Sequence, residues 1–220
     1  MKWLTRLLVV VALAVPTANA RADIIVDGIG DFLPTFTGPR NGDLDVWVAR
    51  GTIDSTQFHL STTLGAPFGT TPTAALVWGL NRGQGTAGFV AGTPSIGAGV
   101  LFDSVVSLNA AGVARFIDFL NPANNFILDP SDVFRDGANV GVDLDRTRIP
   151  STGFAQENFT WNLWPRSGGG NALVSDFAPD AGNPATANAR FSSVPEPASL
   201  LLFGVGLGLL GVGYRRRRSG

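Results

Sequence analysis

The residues of this chain able to do chemistry are chiefly aspartates and tryptophans. Asp43 and Asp45 stand two apart in the run Asp-Leu-Asp-Val-Trp-Val, and Asp143 and Asp145 repeat the spacing. On a strand, such a pair puts both carboxylates on one face about 7 Å apart. With Asp27, Asp31 and loop carbonyls nearby in the fold, Asp43 and Asp45 are candidate ligands for calcium, which takes about six to eight hard oxygens. No EF-hand spacing is present, and the commoner fate of such aspartates is solvation or turn capping. The same pairs read as a glycosidase acid and base require an opposed pair across a cleft with one carboxyl raised, which two residues of one strand do not supply.

Flat aromatic faces are the second resource. Trp47, Trp78, Trp161 and Trp164 fall in the central part of the chain, and aromatic rings on an exposed sheet stack on sugar rings, although core packing is more frequent. Alternation turns Trp161 inward with Phe159 and Leu163 and turns Trp47 and Trp164 to the opposite face, which makes Trp47 and Trp164 the glycan candidates. A single histidine, His59, and no cysteine remove thiolate zinc sites, cysteine nucleophiles and most triads. Gly83-Gln84-Gly85-Thr86-Ala87-Gly88 has the spacing of a dinucleotide fingerprint, but Phe89 to Gly99 is too rich in glycine and proline to open a helix. The segment reads as a hairpin loop. Catalysis is therefore not expected, and no cofactor beyond calcium.

These residues need a scaffold, and 220 residues at 45% hydrophobic supply one domain of ordinary size. Glycine (28) and proline (14) with 15% charged residues favour turn-rich β structure over long helices. Period-two patterns mark strands at Leu44, Val46 and Val48, at Phe58, Leu60, Thr62 and Leu64, at Val140, Val142 and Leu144, and at Phe159, Trp161 and Leu163. Apolar runs at 74–80 and 100–108 read as central strands, 113–119 completes a hairpin, and shorter strands are expected at 24–26, 125–128 and 172–177. Eight to ten short strands of this kind predict an all-β fold, an antiparallel β-sandwich of jelly-roll type over residues 23–177, with 178–194 as a linker. From Asp23 to Val194 nine arginines stand against fifteen aspartates and Glu157, a net charge of about −7. That charge argues against nucleic acid as a partner.

The two ends read differently. Lys2 and Arg6 precede the apolar run Leu7 to Val15, and small residues follow, with cuts fitting after Ala20 or Ala22. Residues 1–22 are thus expected to be a secretory signal peptide. At the other end Pro195-Glu196-Pro197 precedes the uncharged stretch Ala198 to Tyr214 and the cluster Arg215, Arg216, Arg217 and Arg218. Seventeen residues rise about 26 Å as a helix, a short membrane crossing, and the arginines stay cytoplasmic by the positive-inside tendency.

That order of Pro-Glu-Pro, Gly/Leu-rich helix and arginine cluster over residues 195–220 closely resembles the PEP-CTERM sorting signal of Gram-negative bacteria. The resemblance implies recognition by an exosortase, cutting near Pro195-Glu196-Pro197, and passage from the inner membrane to the cell surface or exopolysaccharide matrix. Asp27-Gly28, Asp43-Leu44-Asp45-Val46 and Val142-Asp143-Leu144 before Ile149-Pro150 loosely resemble the DOMON-like sandwiches that include family nine carbohydrate-binding modules. On these readings the chain is a structural or binding protein of the envelope. The alternatives are a carbohydrate-binding module, with calcium assisting, and then a glycoside hydrolase.

Overall fold

The computed structural model of the protein describes residues 24–180 and 187–194. Within them, two sheets of short strands face each other. The first runs β1 (Ile24–Val26), β2 (Val46–Ile53), β3 (Gln57–Leu64), β9 (Asn139–Asp145), β8 (Val133–Asp136), with β12 (Ser192–Ser193) parallel to β2. The second runs β11 (Ala189–Arg190), β10 (Thr160–Arg166), β4 (Ala75–Asn81), β5 (Ser104–Asn109), β6 (Ala114–Asp118), β7 (Phe126–Ile127), antiparallel throughout. The expected sandwich is present. Its winding is not that of a jelly roll, in which distant strand pairs nest around one long hairpin. Here β3 pairs β9 and β4 pairs β10, partners that advance together along the chain.

Alternation explains the core. Phe58, Leu60, Val142 and Leu144 of the first sheet and Trp78, Val106, Phe116 and Trp161 of the second are buried in one apolar cluster. Gly51 is dictated by this packing, because a Cβ there would lie 2.2 Å from the Trp161 indole nitrogen. β4 is buried on both faces: a second cluster, including Val77, Phe89, Trp164, Val174 and Phe177, covers the outer side of the second sheet. Loop residues from 89–100 and 174–177 supply that cover.

Three expectations fail locally. β2 begins at Val46, with Gly42–Leu44 forming a 3-10 turn, and its register shifts between Val46 and Val48. A bulge at Trp47 adds one residue to the alternation, so Ala49, Gly51 and Ile53 face inward while Val48 does not. The strand expected at 172–177 is a 3-10 turn at Asn171–Leu173, with single bridges from Val174 to Arg166 and from Ala178 to Leu163. The linker expected at 178–194 is also corrected: it contains β11 and β12, Ala187 and Phe191 are buried, and the Val194 N–H donates to the Ile53 carbonyl at 2.8 Å.

The expected signal peptide (1–22), Pro195-Glu196-Pro197, the transmembrane helix (198–214) and the arginine cluster (215–218) lie outside the described residues. Among the described residues no helix is long and apolar enough to cross a membrane.

Candidate functional site

Three carboxylates converge where two loops are stitched together. The turn after β1 carries Asp27 and Asp31, and the segment 172–178 carries Asp176. Leu33 N–H bonds to the Ser175 carbonyl at 2.8 Å and Thr37 N–H to the Ala172 carbonyl at 2.9 Å, which holds one loop along the other. Asp176 is fixed by the backbone N–H groups of Val46 (3.2 Å) and Phe177 (2.7 Å). Gly28 leaves room for the Asp31 carboxylate, because a Cβ there would lie 2.4 Å from its Oδ2.

One carboxylate oxygen from each of Asp27, Asp31 and Asp176 lies within 4.8 Å of the others. Oxygens coordinated at about 2.4 Å to one ion are at most about 4.8 Å apart, so the spacing suits a shared hard cation. The Oδ2 of Asp27 is buried without a hydrogen-bond partner. Among the described residues no arginine or histidine forms an ion pair with any of the three. Burial, then the charges of its neighbours, pushes the Asp176 carboxyl well above the usual range. Burial and Asp31 raise Asp27, and burial, with Asp180 and Asp45, raises Asp31. A cation would relieve all three.

The aspartates singled out by spacing do other work. Asp43 and Asp45 are both buried, but Asp43 lies within the 3-10 turn and Asp45 follows it as the cap, so they do not share the face of a strand. Asp43 accepts from the Thr71 N–H (2.6 Å) and Oγ1 (2.8 Å), while Asp45 accepts from the Gly30 N–H (3.0 Å) and the Trp47 Nε1 (3.0 Å). The carboxylates that converge are those of Asp27 and Asp31, whose neighbourhood the sequence did suggest, and of Asp176, which it did not single out. Asp145 caps the turn at Thr147. Asp143 reaches His59 Nδ1 at 2.7 Å, and Asp54 reaches His59 Nε2 at 3.0 Å, so this histidine is clasped from both sides.

The two glycan candidates separate. Trp47 sits on the bulge, half-buried, with its ring N–H given to Asp45. Trp164 does point away from Trp161, but that face is covered and Trp164 is only 2% exposed, with Phe89 edge-on at 4.9 Å. It offers no flat open platform.

Another buried group escaped sequence reading. Arg82, at the end of β4, donates through Nε to Asp103 (2.7 Å) and through Nη1 and Nη2 to Asp118 (3.0 and 2.8 Å), with all three side chains buried. Its bonds are all internal, and it locks three strands and the Pro150 turn, whose carbonyl it also reaches at 3.2 Å.

Comparison with known proteins finds one family match. No curated protein and no solved structure matches the chain, so the DOMON-like resemblance rests on residue pattern alone. The profile of the PEP-CTERM protein-sorting motif matches residues 193–218, beginning on Ser193 in β12. That motif is a sorting signal recognised by an exosortase, and it implies export and membrane-associated processing toward the cell surface. Behind its β-sandwich the chain carries a PEP-CTERM protein-sorting motif.

Proposed function

We propose that this chain is an exported precursor, held in the inner membrane by residues 198–214 and cut by an exosortase near Pro195-Glu196-Pro197. The product is a non-catalytic structural or binding sandwich at the cell surface or in the extracellular matrix. The observation that carries the reading is the match of residues 193–218 to the sorting motif, directly continuous with the last strand of the sandwich. The strand arrangement supports it. Ile24 pairs with Arg50 and Ser192 with Thr52, so the chain enters and leaves the sandwich along one edge of β2. A signal peptide and a C-terminal anchor would then tether the same edge of the folded domain to the membrane.

Mass spectrometry of the released protein tests this. The expected product ends near residues 195–197 and lacks the arginine cluster; an intact tail on the surface-exposed protein, or retention of the full chain in the cytosol, would overturn it.

A second reading is favoured by the carboxylates of Asp27, Asp31 and Asp176: a calcium ion that ties the turn after β1 to the segment 172–178. It is a structural ion in this reading. The three groups crowd one another instead of facing across a cleft, which is why we favour binding over glycoside hydrolysis. A carbohydrate-binding role, for which Trp164 cannot serve as an open platform, needs a different surface.

A further inference from the structure

The match to the sorting motif begins at Ser193, which is also the last residue of β12. The sandwich holds this segment in several ways. Ser192 and Ser193 lie parallel to Thr52 and Ile53 at the edge of β2, and the Val194 N–H donates to the Ile53 carbonyl at 2.8 Å. Phe191 is 6% exposed and belongs to the main core, its ring 4.9 Å from Phe58 and 6.4 Å from Trp161, centroid to centroid. Just upstream, Arg190 pairs with Thr160, and its carbonyl accepts from the Trp161 ring N–H at 3.3 Å.

That hold leaves little chain for an enzyme to work on. From Val194 to Ala198, where the uncharged stretch begins, four residue steps reach at most about 14 Å at full extension. One helix with its side chains is about 10–12 Å thick, so a cleft with structure on both sides of the Pro-Glu-Pro junction does not fit between the folded sandwich and the membrane. Freeing the chain back to Arg190 gives eight steps and about 28 Å. An endopeptidase also grips an extended stretch around the bond, as partners do that add a peptide strand to their own sheet edge. A stretch already paired with β2 cannot be taken up in that way.

We infer that β12 is a releasable strap, and that the exosortase acts on chains in which residues 191–194 have left the sandwich. Such opening is local: it gives up the pairing of Ser192 and Ser193, the Val194 hydrogen bond and the burial of Phe191, while both sheets keep their remaining strands. Where closing is faster than cutting, cleavage follows the open fraction, so the hold on Phe191 and β12 sets the processing rate. The product keeps residues 191–194, and β12 pairs with β2 again once the tail is gone. The inference rests on the reading of residues 195–197 as the cutting site and 198–214 as the anchor, and adds that the sandwich regulates its own release.

Pulse-chase of the full chain in its host cells, with precursor and product separated by mass, tests it. Phe191→Ala loosens the strap and is expected to speed conversion by about threefold or more. A spacer of about eight Gly/Ser residues between Val194 and Pro195 supplies the missing reach with β12 in place, and is expected to quicken conversion by a similar factor. In the spacer chain Phe191→Ala should then add nothing. Equal rates for the unaltered and spacer chains overturn the strap. So does a Phe191→Ala effect that persists undiminished in the spacer chain, which would report a general loss of stability. Should Phe191→Ala fail to fold, the spacer decides alone. A chain cut in none of its forms overturns the processing reading and the strap with it, whereas one cut at a single rate in all forms overturns the strap alone.

Discussion

Asp103, Asp118 and Asp176 are equally inaccessible, each 2% exposed, yet they live in opposite electrostatic conditions. Asp103 and Asp118 share the guanidinium of Arg82, and although burial works against its ionisation, the bonds from Arg82, Asn124 and nearby backbone N–H groups hold Asp118 down at about 2. Asp176 has backbone donors and no cation, with Asp27 and Asp31 beside it, and its carboxyl rises. Depth of burial alone thus says little about a carboxylate. The difference is one arginine, and it separates a finished structural lock from a place that still lacks a positive charge.

The comparison can be broken from the locked side. Arg82→Met leaves Asp103 and Asp118 buried without a cation, converting the lock into a second crowded cluster, and is expected to cost about 3–5 kcal/mol in denaturant unfolding. A loss under about 1 kcal/mol would mean that the lock is not what holds this end of the sandwich.

Supplying a cation to the crowded side is the converse test. Calcium at a hundredfold excess over its Kd is expected to stabilise the fold by about 2.7 kcal/mol. Magnesium should do less, because it sheds water reluctantly and tolerates fewer geometries. A melting temperature indifferent to millimolar calcium and to chelator would remove the metal reading.

The two regions also differ in the sign of their pH response. Asp27, Asp31 and Asp176 bind protons more tightly folded than unfolded, so their contribution falls as pH rises from about 4 through their raised folded values. Asp118 is depressed, so its contribution is present above about 4 and is lost as pH falls toward 2. Asp176→Asn should therefore raise stability at pH 8 without calcium by on the order of 1–2 kcal/mol and flatten the neutral limb of the profile. An unchanged slope would show that the three carboxyls are not coupled.

The smallest effect belongs to His59. Burial lowers its affinity for a proton, but the bonds to Asp54 and Asp143 outweigh this, and the folded value lies above the ordinary 6.5. Its clasp is present below about 6.5 and is lost as pH rises through the folded value. Side chains this open to solvent weaken such pairs, so His59→Gln is expected to cost under about 1 kcal/mol at pH 6 and nothing at pH 9. An equal loss at both pH values would assign His59 a packing role.

Local pattern carried most of the fold. Leu60, Val142 and Leu144 faced inward as period two required, because a strand exposes its sides alternately whatever its neighbours are. The bulge at Trp47 defeated the same rule, since an extra residue in one strand is defined only against its partner. β11 and β12 were hidden for a related reason: short, small and polar, Ser192 and Ser193 become a strand only because the edge of β2 is there to pair with.

What the sequence by itself determined is the address, since a Pro-Glu-Pro junction, an apolar stretch of membrane length and a run of arginines are read contiguously along the chain. Alternation likewise determined the sandwich, as a property of neighbouring residues. The sites were decided by tertiary structure. Asp27 and Asp176 are separated by nearly the whole domain and meet only in the fold, as do Arg82, Asp103 and Asp118. Carboxyl crowding and the pairing of buried charges depend on distance through space, which order along the chain does not encode.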